Sequence, residues 1–218
     1  MREAHCCHPA AFRLGLPSLI PLLPWVLKRG RCGYCGGRVS LAVPFIELVM
    51  VAVVVLTAVQ AQDIAHVVAS GLFGWLLIVL MDTDLRHQIL PDSLTAALLA
   101  SGLLAALFLS APGFAEAFAG AAIGAGSFFL LRFFYFRYRG IEGLGLGDVK
   151  LMAGLGAWLG ASWLPLLVIV AAVSGLLSAF LRAWSDGARV SATSAVPFGA
   201  YLGGSALVLS YLRAAGVW

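Results

Sequence analysis

Long apolar runs separated by short polar loops dominate the chain, at residues 44–62, 64–82, 92–111, 114–134, 148–160, 162–182 and 196–213. A helix needs about 20 apolar residues to cross a bilayer, so this pattern predicts a row of membrane helices in which the fifth is short. Gly154, Gly156 and Gly160 in that fifth run predict close packing against neighbouring helices rather than exposure to lipid. Residues 1–43 read differently. Their apolar patch, Leu14 to Leu27, is broken by Pro17, Pro21 and Pro24, which makes it too short to span and predicts a segment lying on the membrane surface. It does not have the form of a cleavable signal peptide either. The expected architecture is all-α: a polytopic helical bundle of about seven membrane segments over 44–218, with a small cysteine-bearing head over 1–43.

Composition agrees with the pattern. Hydrophobic residues make up 61% of the 218 and charged residues 11%, against about 25% charged in soluble domains. The net charge of +4 is not a nucleic-acid signal, because the basic residues sit in short loops and report orientation instead. Arg86 falls between the second and third runs, Arg132, Arg137 and Arg139 between the fourth and fifth, and Arg182 and Arg189 between the sixth and seventh. The turns near Ala61, Pro112 and Ala161 carry no Lys or Arg. The positive-inside rule then predicts a cytoplasmic head, three cytoplasmic loops and an external C-terminus, with Arg213 alone on the far side.

A cytoplasmic head is reducing, so its cysteines predict metal ligands or free thiols rather than disulfides. Cys32-Gly-Tyr-Cys35 followed by two glycines has the shape of a zinc knuckle, and Cys6 and Cys7, flanked by His5 and His8, stand as the remaining candidate ligands. Two unrelated pairs of reduced thiols are the alternative.

The chemistry points to aspartates. Gly143-Leu-Gly145-Leu-Gly147-Asp148-Val-Lys150 is a glycine-dense turn that delivers a carboxylate into the start of an apolar run. An acid at membrane depth costs several kcal/mol and therefore marks a functional site, although an Asp can also simply complement a helix N-terminus. The charge pattern puts Asp82, Asp84, Asp92 and Asp148 at one membrane face. Two carboxylates a few ångströms apart share one proton, so that one can activate water while the other polarises a carbonyl. No Gly-x-Ser-x-Gly elbow, His-Glu-x-x-His or P-loop occurs, and with four histidines in the chain a Ser/His/Asp arrangement is disfavoured. A small transporter that moves protons or cations on intramembrane acids is the competing reading; no internal repeat supports it.

Taken together, Asp84-Leu-Arg-His-Gln-Ile-Leu-Pro-Asp92, Glu142-Gly-Leu-Gly145-Leu-Gly147-Asp148-Val-Lys150, Gly156-Ala-Trp-Leu-Gly160, the Cys32/Cys35 loop, Pro44-Phe-Ile-Glu47 and Pro197-Phe-Gly-Ala-Tyr201 resemble the prepilin peptidases, the type IV leader peptidases of the GxGD intramembrane aspartyl protease group. The resemblance covers nearly the whole chain. It implies Asp84 and Asp148 as the catalytic pair, since the acting Asp stands seven positions before the Pro of Leu-Pro-Asp, and leaves Asp82 as an extra acid. Lys150 and Glu142 acquire supporting roles beside Asp148, as do Gly145 and Gly147; Asp92 reads as a helix N-cap as well as a supporting acid.

The resemblance further implies a prepilin or pseudopilin substrate, cut just after a glycine at the cytoplasmic side of the inner membrane; the lipid bilayer is the other expected partner, and nucleic acid is not one. Two departures stand out: the family's usual leading membrane helix is not seen before the cysteine loop, and its first Cys-x-x-Cys pair is replaced by Glu3 and Cys6-Cys7-His8-Pro9. A structural zinc on Cys6, Cys7, Cys32 and Cys35, and methylation of the new amino terminus from S-adenosylmethionine, are expected only to the extent that this region is intact.

Overall fold

The computed structural model describes residues 23–31, 42–60, 63–109, 112–140, 143–186 and 197–214, and among them every regular element is helical. The elements are α1 (Leu23–Leu27), α2 (Ala42–Gln60), α3 (Ile64–His87), α4 (Asp92–Phe108), α5 (Phe114–Arg139), α6 (Leu146–Leu159), a 3₁₀ turn (Ala161–Trp163), α7 (Leu164–Asp186) and α8 (Phe198–Ala214). Two compact units divide near Leu56. In the first, α1 closes in a turn through Arg29 and Gly30, both at positive φ, with the Trp25 ring beneath Gly30.

Each of the seven apolar runs corresponds to one helix, α2 to α8. Those of α3, α5 and the stretch Ala161–Leu181 are long and apolar enough to cross a membrane by themselves, and the chain is a helical membrane protein. Helices α3 and α5 outrun their apolar segments, because a helix continues through charged residues until a backbone signal stops it. Gln88 stops α3 in the left-handed region at φ 53°, its N–H donating to the Asp84 carbonyl at 2.9 Å. Gly140 stops α5 in the same way at φ 69°. At its other end α3 is capped by Asp63, whose Oδ1 accepts from the His66 N–H at 2.8 Å; this bond holds the Asp63 carboxyl below its usual range.

In the second unit α6 lies at the centre, packed against α5 and α4 and also meeting α8, while α3 and α7 pack on α8. Its side chains Leu151, Met152, Leu155, Ala157 and Leu159 are buried. Close approach explains the glycines. A Cβ on Gly120 of α5 would run into the backbone of Gly156, a Cβ on Gly156 into that of Gly120, and one on Gly124 would stand 2.6 Å from the Met152 carbonyl oxygen. Within lipid, helices associate through such van der Waals contact rather than through water exclusion. On the other flank, Trp158 Nε1 donates to the Leu98 carbonyl at 3.0 Å and its ring lies 4.7 Å from that of Phe73. Arg213 at the end of α8 donates from Nη1 to the Leu159 carbonyl at 3.0 Å, which satisfies one of the orphan carbonyls at the C-terminus of α6.

Candidate active site

The C-terminal ends of α3 and α5 and the N-terminal ends of α4, α6 and α8 gather at one end of the bundle. Asp84, in the last turn of α3, is 6% exposed. Its Oδ2 accepts a hydrogen bond from the backbone N–H of Ala200 at 2.8 Å, so the first turn of α8 is built onto the carboxylate. Asp148 lies in the first turn of α6, half-buried, with the cap glycine Gly145 beside its Oδ2.

Gly199 gives the measure of how close the two acids stand. The position its Cβ would take lies 3.0 Å from Asp84 Oδ2 and 3.3 Å from Asp148 Oδ1, so the two oxygens are no farther apart than those distances added together. Leu90 Cδ1 lies 3.1 Å from the same position, so both acids and an apolar side chain border one point.

The glycine turn before α6 is held from the side. Arg132 Nη1 on α5 donates to the Leu144 carbonyl, and Gly143 fits against the ring of Tyr135. Gly147 packs tightly: a Cβ there would stand 3.0 Å from Leu90 Cβ, so Leu90 would have to give by a few tenths of an ångström.

The remaining expected residues separate into three groups. Lys150 and Asp92 meet, Nζ to Oδ1 at 2.6 Å, which joins the start of α6 to the start of α4. Asp92 is not the N-cap that its place after Pro91 suggests. Pro91, with φ −63° and ψ 129°, occupies the cap position, and Asp92 begins the helix with its side chain turned to Lys150. Asp82 stays apart from the pair, accepting from Arg86 Nε at 2.7 Å one turn along the same helix. Glu142 and the candidate zinc ligands Cys6, Cys7, Cys32 and Cys35 lie outside the described residues; among the described residues no group of three or more His, Cys, Asp or Glu is placed to hold a metal.

Sequence reasoning did not place Ala200, Gly199, Leu90 or Arg132 at the acids. The signal for the first two was Pro197-Phe-Gly, a turn and helix start at the mouth of the last apolar run. For Arg132 the signal was the first of the three cations, Arg132, Arg137 and Arg139, that close the fourth apolar run.

The type IV leader peptidase family matches residues 71–180, and the bacterial peptidase A24 N-terminal domain matches residues 1–61. The chain is 35% identical over 201 residues to the prepilin leader peptidase/N-methyltransferase of Dichelobacter nodosus, covering 92% of this chain and 67% of that protein. To the protein of the same name from Dickeya chrysanthemi it is 36% identical over 212 residues, covering 97% and 73%. To the type 4 prepilin-like proteins leader peptide-processing enzyme of Escherichia coli O78:H11 it is 31% identical over 213 residues, covering 97% and 76%. No solved structure matches the chain. With a family match across half its residues, two acids drawn together at one end of a helical bundle, and relatives named as leader peptidases, this chain belongs to the type IV leader peptidase family and is a protease.

Proposed function

We propose that the protein is an aspartic endopeptidase that removes the basic leader from type IV prepilins or pseudopilins at the cytoplasmic face of the inner membrane, with Asp84 and Asp148 as the catalytic pair. The observation that carries this reading is the single point at Gly199 within 3.3 Å of an oxygen of each acid. An ionised carboxylate takes a proton from water as the water oxygen adds to the scissile carbonyl, and the protonated partner gives its proton to the carbonyl oxygen. Collapse of the tetrahedral intermediate breaks the C–N bond. A proton passes to the leaving amine, giving the leader's new carboxyl terminus and the pilin's new amino terminus.

A prepilin presents an apolar helix that stays in lipid and a basic leader that does not. A pair of acids at the end of a membrane bundle stands where those two parts join, and its negative charge attracts the leader's Lys and Arg. In this reading Lys150, Asp92, Gly145, Gly147 and Glu142 support the glycine turn, and the charge pattern of the loops favours a cytoplasmic head. The relatives from Dichelobacter nodosus and Dickeya chrysanthemi are also named as N-methyltransferases. In this protein that activity, and any structural zinc, would reside with residues 1–43.

The test is incubation of the purified protein with a prepilin, with the mass of the pilin's amino terminus read out. A shortened pilin is expected from the wild-type chain, with a further methyl mass if methyl transfer is retained. Asp84→Asn and Asp148→Asn should each insert normally and leave the prepilin uncut. Cleavage by either single variant at a rate near wild type would refute the pair.

A further inference from the structure

We propose that the first turn of α8, Phe198–Ala200, is a third wall of the catalytic site, in which the Ala200 N–H positions Asp84 and Gly199 keeps open the gap between the carboxylates where the scissile peptide enters. This rests on the reading of Asp84 and Asp148 as the catalytic pair.

Three observations carry it. The Ala200 amide reaches Asp84 Oδ2 at 2.8 Å across 116 residues of sequence, which ties to α8 the same carboxylate oxygen that faces the Gly199 position. The missing Cβ of Gly199 would stand 3.0 Å from Asp84 Oδ2, 3.3 Å from Asp148 Oδ1 and 3.1 Å from Leu90 Cδ1. A methyl group there would fill the space that water and a peptide carbonyl must share.

The turn is also fixed from both sides. The Phe198 ring lies 6.3 Å from that of Phe128 on α5, and the Tyr201 hydroxyl is hydrogen-bonded to Ser178 Oγ on α7. The amide is thus carried on a rigid mount, as the positioning of a reacting group requires. Gly203 and Gly204 on the same helix differ in kind, because their Cβ positions meet only the flexible side chain of Met81 among groups closer than 4 Å.

The test compares Gly199→Ala with Gly204→Ala in the full-length protein, using a prepilin peptide in detergent. A displacement of about 1 Å at a reacting group costs about 10²-fold in rate, so G199A should lose about that much in kcat and show a shifted pH–rate profile. Its thermal midpoint should stay near wild type, and G204A should retain wild-type kinetics. An independent arm needs no change in α8. A prepilin peptide carrying a diazirine next to its scissile bond, irradiated with the Asp148→Asn protein, should label the peptide containing residues 197–200.

Wild-type kcat and pH profile in G199A, or labelling confined to other segments, would overturn the proposal. If G199A does not accumulate in the membrane, the labelling result decides alone. The two readings fail separately: active D84N or D148N removes the pair itself, whereas inactive D84N and D148N beside a fully active G199A removes only the role of α8.

Discussion

Lys150 on α6 reaches Asp92 on α4 at 2.6 Å, so the two acidic motifs are joined by an ion pair as well as by their aspartates. The Lys side chain is 47% exposed and the Asp side chain 75%, which places the pair in the class worth about 0.2–1 kcal/mol. Asp92→Ala and Lys150→Ala should therefore each lower stability by less than about 1 kcal/mol, with coupling of the same size in a double-mutant cycle. Any larger loss in cleavage than in stability measures the pair's hold on the glycine turn, and the charge-swapped Asp92→Lys/Lys150→Asp protein should recover part of it. Thermal unfolding in detergent, run beside the prepilin assay, checks both.

Arg132 donates to the Leu144 carbonyl within that same turn. A hydrogen bond from a charged group contributes about 1.5–3 kcal/mol. Were most of this spent on holding the turn, Arg132→Ala would slow cleavage by about tenfold or more. Arg132→Lys should restore less than half of the loss, because an ammonium on a flexible stem does not reproduce the planar fork. Steady-state kinetics of the two variants at matched expression decide this.

The contact between α5 and α6 separates glycines that pack from glycines that do not. Gly120→Ala sets a methyl against backbone and should destabilise by about 1–3 kcal/mol, more than the helix propensity of alanine returns. Gly126→Ala, on the same helix with nothing within 4 Å of its Cβ position, should be neutral or stabilising by up to about 1 kcal/mol. Unfolding midpoints of the two proteins in one detergent give the comparison.

Asp63 gives a prediction in pH. Hydrogen bonds from His66 hold its carboxyl below the ordinary 3.8. A depressed acid stabilises the folded state fully above its unfolded value, and this is lost as pH falls through the depressed folded value. Asp63→Asn keeps a cap acceptor without the titration. Below pH 3.8 the wild type should therefore lose more thermal stability than D63N. Midpoints measured across that range are the check.

Much of the bundle was legible in the sequence. Membrane-length apolar runs admit only helices, because lipid offers no partner for an unpaired backbone, and α2 to α8 follow those runs. The ends were less legible: nothing in the pattern around 82–88 says that α3 persists through two aspartates until Gln88 takes a left-handed conformation. Within the site, Asp148 stood out because an acid at membrane depth is costly, whereas only the family spacing to Leu-Pro-Asp separated Asp84 from Asp82. Ala200 was not legible, because a backbone amide leaves no mark in a sequence, and neither was the Lys150–Asp92 contact, which depends on how α4 and α6 come together across 58 residues. Asp92 was misplaced by one position because proline and aspartate both suit a helix start, and the extended backbone of Pro91 decided between them.

The short central helix has one more consequence. At 14 residues α6 is about 21 Å long, less than the hydrocarbon thickness, and it is sheathed by α4, α5 and α8. Acyl chains therefore have little purchase on it. Bilayers of different thickness will tilt or kink the outer helices, while the height of Asp148 relative to its neighbours is dictated by glycine contacts inside the protein, so that carboxyl keeps its level when the surrounding lipid changes.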